Sequence, residues 1–116
     1  MTVPNTTEEG LYSFLKNHGN NQVKRELLFF WGMHPSAKFD SNIVCNVLDC
    51  SKLDAENALM DMMKEGLLDN HISNGVTLYS LTADEDRRRP ILALATLGRY
   101  DFQLMLRYME WEAEHN

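Results

Sequence analysis

Residues 40–82 read DSNIVCNVLDCSKLDAENALMDMMKEGLLDNHISNGVTLYSLT, and the fold turns on this stretch. Asp40 or Ser41 can start a short helix, with Phe39 and Val44 flanking the Asp40 cap at the spacing of a hydrophobic staple. Ile43, Val44, Val47 and Leu48 then fall on an inward face, and the helix can last only to about Asp49. Ser51 caps a second helix, with Asp54 near the positive helix end and an inward stripe of Ala55, Ala58, Leu59 and Met62. Gly66 ends it. Leu67 to Ser73 and Val76 to Thr82 read as two strands joined by Asn74-Gly75, because a type I′ turn needs positive φ at both central positions.

Helices are expected on both sides of this stretch. Thr6 and Glu9 have the spacing of a capping box, Leu11, Phe14 and Leu15 follow at helical intervals, and Gly19 is a natural stop. Asn20 or Asn21 can cap the next helix, whose Val23, Leu27, Phe30 and Trp31 recur at steps of three and four. It ends before His34-Pro35, since a residue preceding proline is pushed out of the α region. The run Leu27-Leu28-Phe29-Phe30-Trp31 covers more than one helix face, so this helix is central or shared with a second subunit. After the hairpin, Thr82-Ala83-Asp84-Glu85 has capping-box spacing for a further helix. Pro90 should begin a new segment or kink that helix, Gly98 marks a break, and Asp101 can cap a last helix through Trp111. The order is four helices, a hairpin, then one or two helices, with no internal repeat or interdomain linker.

Composition fits one domain over residues 1–116. At 116 residues, with 44% apolar and 24% charged side chains, the chain can bury a core without a disulfide or metal staple. No apolar run approaches the ~18 residues of a membrane span, and the first residues lack the features of a signal peptide. Two cysteines are too few for a disulfide scaffold, so a cytoplasmic, reduced setting is expected. The formal net charge of −6 counts against extensive contact with nucleic acid.

Two short helices with Cys50-Ser51 between them, then Glu65-Gly66-Leu67-Leu68 and a tight hairpin, resemble a winged helix-turn-helix. The segment from about Val23 to Thr82 looks like the DNA-binding unit of MarR-, PadR- and ArsR-type bacterial and archaeal regulators. Val44, Cys45 and Leu48 match the apolar, small and core positions of that pattern's second helix, and Cys50-Ser51 its turn and cap. Leu59 and Met62 fit its recognition-helix core, Gly66-Leu67-Leu68 its approach to the wing, and Tyr79-Ser80-Leu81-Thr82 its last strand. The resemblance implies a mainly α fold with a small β-hairpin, a winged helix-turn-helix carrying extra N- and C-terminal helices. It also implies a DNA-binding transcriptional regulator acting as a homodimer, although many winged helices bind protein instead.

The residues leave both functions open. On the Ser51-capped helix, Leu53, Asn57, Met60 and Lys64 form the outward stripe. Asn57 can pair with an adenine edge, Lys52 can meet a phosphate, and the Ser51 end directs amide donors outward. Yet residues 51–66 hold two lysines against four acids, and the hairpin carries Asp69 with no lysine or arginine. A solvated or partner-binding face through Leu53 and Met60 is therefore the alternative. Arg87, Arg88 and Arg89 are the basic run; pairing with Asp84-Glu85-Asp86 at i,i+3 is preferred here to a phosphate clamp.

The remaining candidates point to structure. Cys45 and Cys50 match no common zinc spacing and fall on small or apolar core positions, so buried, inert thiols are expected and no metal site. His18, His34, His71 and His115 are scattered, and the methionines suit adaptable packing. Nothing resembles a nucleophile–base pair, a glycine-rich phosphate loop or paired catalytic carboxylates, so neither enzymatic activity nor a cofactor is expected. The C-terminal third has more apolar residues than one small core can cover. Tyr100, Phe102, Met105, Tyr108, Met109 and Trp111 are accordingly expected at a homodimer interface within dimerisation helices spanning about 83–114. An effector is not legible.

Overall fold

A computed structural model describes residues 8–115. The first helix, α1 (Glu8–His18), buries Leu11 and Leu15, and the Gly19 amide donates to Leu15 O at 2.7 Å to close it. Thr6, expected to cap this helix, lies outside the described residues. Asn21 caps α2 (Gln22–Met33) by accepting from the Lys24 amide. Leu27, Leu28, Phe29 and Trp31 are all buried, and α2 packs against α1 and two later helices, as its wide apolar face requires. Trp31 meets its own polar demand by donating Nε1–H to Ala37 O at 3.0 Å.

Asp40 accepts from the Ile43 amide at 2.8 Å and starts α3 (Ser41–Leu48). Only Val44 of this helix is fully buried; Ile43 and Val47, expected inside, are 41% and 54% exposed. An eight-residue helix on the rim offers one narrow stripe to the core, so its flanking apolar residues overhang a shallow dent floored by Leu27, Phe30 and Phe39. Asp49 then turns left-handed at φ 51°, and Ser51 Oγ accepts from the Asp54 amide to start α4 (Lys52–Lys64). The buried face of α4 is Ala55, Ala58, Leu59 and Met62, as its spacing predicts.

Gly66, at φ +79°, redirects the chain into β2 (Leu68–Ser73) and β3 (Val76–Leu81), joined by Asn74 and Gly75 at φ 51° and 77°. These are the two left-handed residues a type I′ hairpin demands. The sheet also has a third strand, β1 (Lys38–Phe39), which pairs antiparallel with β3 to give the order β1-β3-β2. Its two residues are too short for any alternation to announce them.

The C-terminal helices depart from expectation in three places. Asp84 holds the N-cap position of α5 (Glu85–Thr96) without a side-chain cap bond, and Thr82 Oγ1 accepts from the Asp84 amide instead of capping the helix itself. Pro90 is buried inside α5 as its sixth residue without dividing it, and it removes a single donor from the ladder. Gly98, at φ +81°, separates α5 from α6 (Gly98–His115), and Asp101 sits in the first turn of α6, not at its cap.

Candidate functional site

Helix α4 presents its outward stripe beside the hairpin wing. Ser51, Lys52, Asn57 and Lys64 are all exposed, as are Leu53 (66%) and Met60 (52%). At about 1.5 Å per residue, Lys52 and Lys64 stand about 18 Å apart at opposite ends of the helix. Lys52 lies 4.0 Å from Glu56, at the outer limit of an ion pair, so it keeps its charge available to a ligand. Asp40, Glu56, Met60, Val76 and Tyr79 line an open groove of about 260 Å³ between α3, α4 and the wing. Ile72 (73%) and Val76 (43%) leave the wing partly apolar.

The arginine run belongs to the other end of α4. Arg87 passes over Gly66, where a Cβ would meet its Nε at 2.9 Å, and its Nη1 donates to Asp84 Oδ2 at 3.0 Å. That is one of the three i,i+3 pairings read from the sequence. Arg88 is half-buried and donates to Thr82 O at 3.1 Å, which pins the start of α5 to the end of β3. Arg89 points to solvent. The candidate DNA contacts thus fall in two groups, Ser51, Lys52 and Asn57 near the start of α4 and Lys64 with Arg87–Arg89 near its end.

One charged cluster escaped the sequence reading. Lys24, 1% exposed, donates from Nζ to Glu65 Oε1 at 2.7 Å and so ties the first turn of α2 to the C-cap of α4. On the other side of the carboxylate, Glu65 Oε2 lies 3.6 Å from His18 Nδ1, and neither of these two atoms has a hydrogen-bond partner. A lysine in an amphipathic helix ordinarily reads as solvated, and only the three-dimensional meeting of α1, α2 and α4 reveals otherwise.

On α6 the apolar residues divide into two faces. Phe102 was expected at a subunit interface; it is instead wholly buried within this single chain, 4.8 Å from the Phe29 ring. Met105, Leu106 and Met109 pack half-buried along the same inner face. The opposite stripe, Tyr100 (76%), Leu104 (45%), Tyr108 (52%) and Trp111 (54%), is exposed. Tyr108 meets Tyr12 of α1 edge-on at 5.4 Å, and Lys16 pairs with Glu112 at 2.7 Å. The Lys16 ammonium holds the Glu112 carboxyl below its ordinary range. Together Tyr12, Leu97, Leu104 and Tyr108 line an open cleft of about 380 Å³ between α1 and α6.

The two thiols are half-buried, not enclosed as expected. Cys45 Sγ–H donates to Cys50 O at 3.0 Å, and burial, then the neighbouring Cys45, push the Cys50 thiol above its ordinary range. Among the described residues, no group of three His, Cys, Asp or Glu is arranged to hold a metal ion, and no helix is long and apolar enough to cross a membrane.

No protein-family model and no curated protein sequence matches the chain. Solved structures do. The heme sensor protein PefR, in complex with heme and carbon monoxide, superposes with a TM-score of 0.53 at 20% identity, covering 88% of this chain and 67% of that one. A mutant of ZitR from Lactococcus lactis in its apo form gives 0.53 at 14% identity, covering 100% and 84%. A protein from Methanosarcina mazei Go1, described as a possible transcriptional regulator, gives 0.52 at 14% identity, covering 89% of each chain. The chain therefore has a winged-helix fold, mainly helical with a small antiparallel sheet.

Proposed function

We propose that this chain is a winged-helix transcriptional regulator that binds double-stranded DNA as a cytoplasmic homodimer. The observation that carries the reading is the Ser51-capped helix α4, which holds Lys52, Asn57 and Lys64 on its solvent side next to a two-stranded wing. A helix presented in this way suits the major groove, with Asn57 facing base edges and the N-terminal amides and Lys52 facing phosphates. The exposed stripe of Tyr100, Leu104, Tyr108 and Trp111 supports a second subunit packing along α6. Two copies of α4 would then enter successive major grooves about 34 Å apart. Selection of binding sequences from a random duplex library, followed by titration of the enriched duplex at several salt concentrations, tests the proposal. An enriched site with an inverted repeat and a steep salt slope is the expected result; recovery of no sequence above background rejects it.

A second reading is favoured by one specific observation. Leu53 and Met60 stand more than half exposed on a helix whose segment 51–66 carries two lysines against four acids. Such a face suits an apolar protein partner better than a polyanion. Under this reading α4 is a protein-docking helix, and Leu53→Asp or Met60→Asp abolishes partner capture while the fold persists.

A further inference from the structure

The end of α3 brings Cys45, in its last turn, against the backbone of Cys50, two residues beyond the helix. Asp49 adopts the left-handed conformation at φ 51°, and the Cys50 amide then reaches back to Cys45 O at 3.2 Å. This is the Schellman closure, in which the residue after the left-handed position bonds to the helix residue five before it. The same geometry normally brings those two side chains into contact, where an apolar pair is commonest. Here both are cysteine. Cys45 Sγ lies 3.0 Å from the carbonyl oxygen of Cys50, and both thiols are free and half-buried rather than enclosed.

We propose that Cys45 and Cys50 form a closable dithiol, a modification site that takes a low-molecular-mass disulfide as oxidant and becomes an internal disulfide at the α3–α4 turn. One protein thiolate attacks the small disulfide and expels one small thiolate. The second protein thiolate then attacks the protein sulfur of the mixed disulfide and expels the other. Two thiol protons and two electrons pass to the two small thiols, and the protein gains one S–S bond. A disulfide needs its Cα atoms about 4.4–6.8 Å apart, a spacing that a backbone N–H···O bond between the same two residues favours. The new bond would sit immediately before Ser51, the cap of α4, so the redox state is read at the start of the candidate recognition helix. This inference does not depend on DNA binding.

The experiment equilibrates the full chain with mixtures of reduced and oxidised glutathione, both native and in concentrated urea, and then acid-quenches and digests it. Trypsin cuts after Lys38 and Lys52, so a single peptide carries both cysteines. The expected native product is that peptide lighter by two hydrogens, with no glutathione attached and no interchain link. Its equilibrium constant should exceed that of the unfolded chain by roughly tenfold or more, because folding holds the thiols together. The single variants Cys45→Ser and Cys50→Ser should instead retain one glutathione. A native peptide that stops at the mixed disulfide overturns the proposal. So does an interchain dimer, or an internal bond that forms no more readily in the folded chain than in urea.

Discussion

Lys24 Nζ and Glu65 Oε1 lie 2.7 Å apart, with the lysine 1% exposed and the carboxylate side chain 25% exposed. The pair joins the N-terminal turn of α2 to the last residue of the α4 segment, and so fixes the candidate recognition helix against the central helix. The two ends of this bond are not equivalent. The lysine side chain is almost wholly enclosed, whereas the Glu65 side chain is partly exposed even though its Oε2 is buried beside His18 Nδ1.

That asymmetry yields the first prediction. Glu65→Ala strands a buried ammonium and should cost about 3–5 kcal/mol. Lys24→Met keeps the buried stem and leaves the charge on the more exposed of the two side chains, with His18 Nδ1 3.6 Å from Oε2, so its cost should be smaller, about 1–2 kcal/mol. Chemical denaturation of the two variants at neutral pH checks this. Equal losses, or a larger one for Lys24→Met, would show that the pair is not organised by burial of the lysine.

The local features of the fold were legible because they depend on residues near one another in sequence. Asn74-Gly75 needs only its own backbone freedom to announce a hairpin, and Asn21, Asp40 and Ser51 need only an amide three residues on. The features that were missed depend on what a residue meets across the molecule. Lys24 drew no reading because its partner is 41 residues away, and Phe102 looked like an interface residue because Phe29 is invisible from α6. The left-handed turn that pairs Cys45 with Cys50 falls on Asp49 and not on glycine, so the usual signal of a Schellman end was absent. Of the candidate site, the outward stripe of α4 was readable from helical spacing alone, whereas the placement of Arg87 against Gly66 was not.

The second prediction concerns Cys50. Burial and the neighbouring Cys45 raise its thiol, so the folded state holds that proton more tightly than the unfolded chain does. The associated stability is fully present below the ordinary thiol range, and it is lost as pH rises through the raised value in the folded protein. Reduced wild-type protein should therefore lose stability faster than Cys50→Ser does as pH rises above the ordinary thiol range. Alkylation of Cys50 by iodoacetamide should also be slow at pH 7 relative to an unhindered thiol. Parallel stability curves for the two proteins above that range would contradict the linkage.

The third prediction separates the two faces of α6. Phe102→Ala should destabilise each protomer by about 3–5 kcal/mol through the cavity it leaves beside Phe29. Trp111→Ala acts on the exposed stripe and should leave the stability of the single chain nearly intact while weakening self-association, by about 2 kcal/mol if it anchors the interface. Tyr108→Ala should weaken association too but also cost about 0.5–1.5 kcal/mol of chain stability through the lost contact with Tyr12. Sedimentation equilibrium at micromolar concentration reads the association, and a dimer burying on the order of 1,200 Å² or more is expected for the parent chain. A parent chain that sediments as a monomer removes the homodimer from the proposed function.

The fourth prediction distinguishes DNA binding from protein docking on α4. Lys52 and Lys64 are exposed at opposite ends of the helix, and two copies place four such charges on a dimer. Replacing both with Gln should reduce affinity for the selected duplex and flatten the slope of log K against log salt by up to about 3.6, at roughly 0.9 per lost phosphate contact. A smaller change in slope would locate the phosphate contacts elsewhere, with Arg87 and Arg89 near the far end of α4 as the first to test by single substitution. Asn57→Ala should behave differently. It removes a base-edge partner, so affinity for the selected duplex falls by about 1–3 kcal/mol while affinity for random duplex and the salt slope stay as they were. Fluorescence anisotropy of both duplexes at three or more salt concentrations measures all of these quantities at once. If the unmodified chain shows no salt-dependent binding even at low ionic strength, the acidic balance of residues 51–66 has decided the matter, and Leu53 and Met60 become the surface to follow.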